Sequence, residues 1–180
     1  MKKIIFVICL FSSLTAIGQP YQKLHKKAIV VDTHGDIMSD QINSGIDIGK
    51  KQSSGNFDLI RAKDGGLDVQ VFSIWCDHTG GFAMANRQID SLEALVKRHP
   101  NQISLVRTAA ELEWTVKQNK LAGLIGVEGG HMIENSLENL DALAKRGMAY
   151  MTLTWNNSTD WASSAADETF KKDSLKHIGL

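Results

Sequence analysis

The sequence predicts an α/β fold built on a parallel sheet. Four apolar, largely β-branched runs alternate with stretches carrying apolar residues at helical spacing, the pattern of βαβ units. Two of the runs close on acidic and histidine residues, Asp32-Thr33-His34-Gly35-Asp36 and Glu128-Gly129-Gly130-His131, and the carboxyl ends of parallel strands are where α/β enzymes place their chemistry. No segment repeats at a fixed period, which argues against a solenoid. Four strand–helix units make about half of an eight-stranded (β/α)8 barrel, so the chain reads as the N-terminal half of a longer domain.

The elements follow in order. Pro20 to Lys27 reads as a lead-in helix with Tyr21 and Leu24 on one face, and Ala28 to Thr33 as a first, buried strand. Ile42 to Gly55 is polar and reads as a long loop. Asn56 is the expected cap of a short helix through Lys63, ended by Gly65-Gly66. Val69 to Trp75 is the second strand. Ala83 to His99 is a helix with Ile89, Leu92, Leu95 and Val96 at helical spacing, stopped by Pro100. Ile103 to Val106 is a short extended piece, and Thr108-Ala109-Ala110-Glu111 is a capping box opening a helix to about Asn119. Leu121 to Val127 is the third strand. Asn135 is the expected cap of the next helix, with Leu137, Leu140 and Leu143 as its inner stripe and Gly147 as its stop. Met148 to Thr154 is the fourth strand.

The charge balance excludes some function classes. Twenty basic and 20 acidic residues cancel, leaving no electrostatic footprint for nucleic acid or anionic lipid. Residues 1–18 read as a signal peptide: Lys2 and Lys3, an apolar core from Ile4 to Leu14, then Ala16-Ile17-Gly18 as the small-x-small cleavage site. The apolar run is too short to span a bilayer. Cleavage before Gln19 and export, to a periplasmic or extracellular location, are therefore expected. Cys9 lies in the leader, so Cys76 is the single cysteine of the mature chain and reads as a packed thiol.

His34 and Asp36 are two apart on an extended segment and point the same way, so both can grip one cation. Glu128 ends another strand, and its two oxygens suit it to bridge a pair of ions roughly 3.5–4 Å apart. Gly129 and Gly130 leave room for a sharp turn behind it. A His-x-Asp triplet alone is most often incidental; its position after a strand-like run favours metal. His131 is expected to be a hydrogen-bonded structural residue, and Asp32 either orients a ligand or closes its strand. His25, His78, His99 and His177 read as solvent-exposed. Trp75, Trp155 and Trp161 read first as packing residues, with Trp155 set apart by following the fourth strand.

Glu128-Gly129-Gly130-His131 and Leu153-Thr154 with Asn156-Asn157 and Trp161 resemble the membrane (renal-type) dipeptidases, and Asp32-Thr33-His34-Gly35-Asp36 is similar to their first metal motif. The likeness runs through Phe57 to Trp75 and covers the mature chain, 19–180. It implies a TIM barrel of metal-dependent hydrolase type with two Zn²⁺, hydrolysing dipeptides through a metal-bridging hydroxide. His34 and Asp36 would bind one zinc and Glu128 would bridge both. The histidines of the second zinc and a catalytic aspartate would come from later strands, so this chain alone is expected to be inactive. Two departures stand out. Trp155 replaces a histidine that contacts substrate in many members, which makes Trp155 a substrate-binding candidate, and Cys76 meets Asn157 instead of a partner cysteine. The expected function is an exported zinc metallopeptidase acting on dipeptides, with homodimerisation left open. The alternatives are a related amide or ester hydrolase with another substrate, and a non-catalytic scaffold of the same fold.

Overall fold

The computed structural model describes residues 21–39, 45–77 and 80–167. The leader at 1–18, His78, His177 and the tail from Lys171 to Leu180 lie outside the described residues.

Among the described residues, five parallel strands form one sheet: β1 (Val31–Gly35), β2 (Val69–Ile74), β3 (Ile103–Leu105), β4 (Leu121–Val127) and β5 (Met148–Met151). The order is β1-β2-β4, with β3 along the first half of β4 (Ile103 beside Leu121) and β5 along its second half (Val127 beside Met151). The four main strands therefore lie side by side in chain order, as successive right-handed βαβ units require. The connecting helices are α1 (Tyr21–His25), α2 (Leu59–Asp64), α3 (Gly81–Arg98), α4 (Ala109–Lys117) and α5 (Leu137–Lys145), with a 3-10 turn at Gly130–Ile133.

Each face of the sheet has its own cover. Phe72, Ile74, Ile125 and Val127 pack against Ala85, Ile89, Leu92 and Leu95 of α3 and Leu143 of α5, the main core. These α3 positions recur at three- and four-residue spacing, which places them on one stripe. A smaller cluster joins Val69, Val106 and Ala122 to Leu112 and Val116 of α4. Ser73, Gly126 and Tyr150 form one cross-strand row, because Ser73 pairs with Gly126 and Gly126 with Tyr150. Gln88, buried in α3, bonds both the amide and the carbonyl of Trp75 and so fixes the end of β2.

Several expectations need correcting. The cap of α2 is Asp58, not Asn56: Asp58 is fully buried and accepts from the Arg61 amide at 2.8 Å and the Arg61 Nε at 2.6 Å. The cap of α5 is Ser136, whose hydroxyl accepts from the Asn139 amide, while Asn135 takes a left-handed turn conformation (φ 58°). Leu143 and Leu140 face the core but Leu137, at the first turn, is 73% exposed. β1 is shifted to Val31–Gly35 and is largely exposed, because among the described residues it has a strand on one side only. β5 stops at Met151. His99 is not solvent-exposed: its side chain is 14% accessible and its Nε2 lies 3.1 Å from Asp47 Oδ1. The capping box at Thr108 and Glu111 forms as expected.

Asp58 carries a pH-dependent share of stability. Burial pushes its carboxyl up, but the Arg61 and Gln52 amides and the Arg61 guanidinium outweigh that and hold it at about 2. A carboxyl lowered on folding stabilises above its unfolded value, near 3.8, and the benefit fades as pH falls from about 4 toward 2. The expected contribution at neutral pH is about 2 kcal/mol, from a shift of nearly two units. Urea denaturation of the parent and Asp58→Asn should differ by this amount at pH 7 and converge as pH falls to about 2; an equal gap at both pH values contradicts the assignment.

Candidate metal centre

His34, Asp36 and Glu128 are brought together at the carboxyl ends of β1 and β4, one ligating atom of each within 4.8 Å of the others. His34 Nε2 lies 3.3 Å from Asp36 Oδ1 and 3.4 Å from Glu128 Oε2. Ligands about 2.0–2.1 Å from a tetrahedral ion stand roughly 3.4 Å apart, so these separations match the edges of such a site. An imidazole with two carboxylates, and no thiolate, is a donor set that zinc accepts. All three are partly accessible, so an ion can reach them.

Local structure puts each group in place. Asp32 is not directed at the imidazole; its Oδ1 accepts from the His34 amide at 3.0 Å, which fixes the backbone that carries the ring. The β-ladder continues past β4, the Glu128 amide donating to the Ile74 carbonyl at 3.0 Å. Gly129 then turns the chain at φ 97°, a value L side chains rarely adopt, and its amide donates to Thr152 Oγ1 at 2.7 Å. Gly130 faces the Leu153 carbonyl and the Trp161 ring with no space for a side chain.

His131 plays the structural part expected of it. Its Nε2 donates to the Cys76 carbonyl at 3.0 Å, and its Nδ1 is buried without a protein partner. The Cys76 thiol donates to the Asp77 carbonyl at 3.0 Å and lies 3.6 Å from Met132 Sδ. Burial pushes this thiol's pKa up, with the Asp77 and Glu134 charges adding, so it stays protonated. Trp155 joins an aromatic wall: its ring is 5.5 Å from Trp75 at 34° and 6.4 Å from His131 at 40°, while its carbonyl accepts from Ser164 Oγ at 2.8 Å.

Sequence reasoning missed two neighbours of Glu128. Ser73 Oγ donates to Glu128 Oε2 at 3.3 Å. Tyr150 stands across β4, over Gly126, and its phenol is pushed up by burial and by the Glu128 charge, hence neutral. A Cβ on Gly126 would lie 2.5 Å from the Tyr150 hydroxyl. Gly126→Ala is therefore expected to cost about 1–3 kcal/mol by overpacking, read by denaturant titration. Adding Tyr150→Ala should remove most of the strain introduced by the new methyl; simple additivity of the two losses contradicts the contact.

A sequence model described as membrane dipeptidase (peptidase family M19) matches residues 19–180. The chain belongs to the membrane dipeptidase family. Dipeptidase 3 of Mus musculus is 36% identical over 115 residues, which is 62% of this chain and 22% of that protein. The probable dipeptidase PvdM from Pseudomonas aeruginosa superimposes with a TM-score of 0.70 at 23% identity, covering 81% of this chain and 39% of PvdM. A metallopeptidase from Rhodobacter sphaeroides, solved with a phosphinate mimic of the dipeptide L-Ala-D-Ala, superimposes with a TM-score of 0.68 at 18% identity, covering 76% and 48%. The chain thus spans less than half the length of these relatives. The likenesses place the α/β parallel sheet in the TIM-barrel-like fold of the M19 dipeptidases, as its four successive main strands lead one to expect. Among the described residues, no helix is long and apolar enough to cross a membrane.

Proposed function

We propose that the whole protein carrying this chain is an exported M19 dipeptidase working with two zinc ions. His34 and Asp36 would hold one ion, and Glu128, with its two carboxylate oxygens, would be shared with the second, whose other ligands would come from outside these three residues. The observation that carries this reading is the convergence of His34, Asp36 and Glu128 at 3.3 and 3.4 Å in a chain of this family. Bound divalent ions supply Lewis-acid polarisation of the scissile carbonyl and an acidified nucleophilic water. The chain's own residues orient the group. Asp32 sets the His34 backbone, and the turn that follows Glu128 is fixed where a Cβ at Gly129 or Gly130 would run into His131, the Leu153 carbonyl or Trp161.

Dipeptides are the proposed substrates, supported by relatives named as dipeptidases and by the dipeptide mimic bound to the Rhodobacter sphaeroides protein. Export is supported by the leader-like 1–18 segment, with its basic start, apolar core and small-x-small end. Mass spectrometry of the secreted protein should find Gln19 as its first residue. The isolated 180-residue chain should be inactive, since among the described residues β1 pairs on one edge only and three residues gather as candidate ligands.

Trp155 favours a second reading, an M19-type hydrolase acting on a different amide. An indole donates one hydrogen bond and cannot take up a proton, and this indole is already engaged with Trp75 and His131. Assays of the zinc-loaded whole protein on L,L- and L,D-dipeptides separate the two. Turnover of either class supports the dipeptidase; failure on all of them with turnover of another amide replaces it with the second reading.

A further inference from the structure

We propose that Ser73 is a positioning residue for Glu128, its hydroxyl steering the carboxylate into the orientation that receives cations. The inference rests on the metal-centre reading above and assigns a role to a residue that touches no ion itself.

Ser73 lies in β2, in the run Val69-Gln70-Val71-Phe72-Ser73-Ile74, and is fully buried. A hydroxyl withdrawn from water needs a hydrogen-bond partner. Here it finds Glu128 Oε2, at 3.3 Å, across the boundary between β2 and β4. The distance is long for a hydroxyl–oxygen pair, so the bond steers the carboxylate more than it clamps it. The same Oε2 is approached by His34 Nε2 at 3.4 Å. One carboxylate oxygen is thus held from two strands, β1 and β2, while the backbone that carries Glu128 is tied into the ladder through its amide.

Register explains why this position was available for the task. Ser73 pairs with Gly126, and Glu128 is the next residue on that side of β4. Gly126 has no side chain to separate the hydroxyl from the carboxylate, and the Tyr150 ring closes the row from the far side. A residue much larger than serine at 73 would crowd the space under Glu128, and alanine would leave the hydroxyl's place empty, with no donor for the carboxylate. Hydrogen-bonded partners behind metal-binding groups commonly tune affinity or activity by about 10–100-fold.

The test uses the whole protein and Zn²⁺ alone, titrated against a chelator of known affinity. Ser73→Ala should weaken zinc binding by about 10–100-fold, with an unchanged thermal midpoint for the metal-free protein. In the loaded enzyme kcat should fall while KM for a dipeptide stays within about threefold, because the substituted group holds a ligand and not the substrate. Ser73→Thr, which keeps the hydroxyl, should recover most of the affinity. If its extra methyl prevents folding, Ser73→Ala decides alone. Zinc affinity within twofold of the parent in Ser73→Ala, or a folded Ser73→Thr as weak as Ser73→Ala, overturns the role of the hydroxyl. A parent that binds no zinc overturns the metal-centre reading itself, and this inference with it.

Discussion

Glu128→Gln in the whole protein should lower dipeptide turnover by about a thousandfold or more, the equivalent of losing roughly 4 kcal/mol of transition-state stabilisation. The amide keeps the size of the side chain, so the fold should survive with its thermal midpoint little changed; Glu128 is about a quarter exposed and belongs to neither apolar cluster. What the substitution removes is the anionic pair of oxygens, one of which stands 3.4 Å from His34 Nε2 and 3.3 Å from Ser73 Oγ. Zinc content should drop from two ions per chain to one or fewer. Near-normal turnover with full zinc content would show that Glu128 does not bridge.

Gly130→Ala should be the most damaging substitution for stability near the site, at about 3 kcal/mol, the upper range for overpacking. A methyl carbon there would fall far inside van der Waals distance of the Leu153 carbonyl oxygen and 2.5 Å from the Trp161 ring. A flexible side chain can swing aside, but a carbonyl oxygen belongs to the backbone that leads from β5 to Trp155. The chain must therefore move on one side or the other, and the turn behind Glu128 moves with it. Denaturant unfolding measures the loss, and zinc affinity should fall in parallel. A variant as stable as the parent would mean that the Glu128-Gly129-Gly130 turn is looser than the packing implies.

Much of the layout could be read from the residues because the signals were local. The capping box of Thr108 and Glu111, the glycine stop of α2 and the amphipathic spacing of α3 each need only a few neighbouring residues to form. The convergence of His34, Asp36 and Glu128 was legible for a similar reason: polar groups closing strand-like runs come together once those strands are parallel. The misses turn on partners distant in space or on choices between adjacent residues. Asn56 and Asp58 can both cap a helix; Asp58 prevails through its bonds to the Arg61 side chain and the Gln52 amide. Asn135 and Ser136 compete likewise, and Asn135 is taken by the left-handed turn. A β-branched run such as Val30-Val31 marks a strand without saying how many strands flank it, so the exposure of β1 was hidden. Ser73 was invisible because a single hydroxyl in an apolar run carries no sign of which carboxylate lies across the ladder.

The most direct measurement is anomalous X-ray diffraction at the zinc absorption edge from crystals of the whole protein. Two peaks are expected roughly 3.5–4 Å apart, the first bonded to His34 Nε2 and Asp36 at about 2.0–2.2 Å and both touching the Glu128 carboxylate. A zinc-loaded protein with no peak among these three side chains, His34 forming only ion pairs with the two carboxylates, would contradict the metal centre.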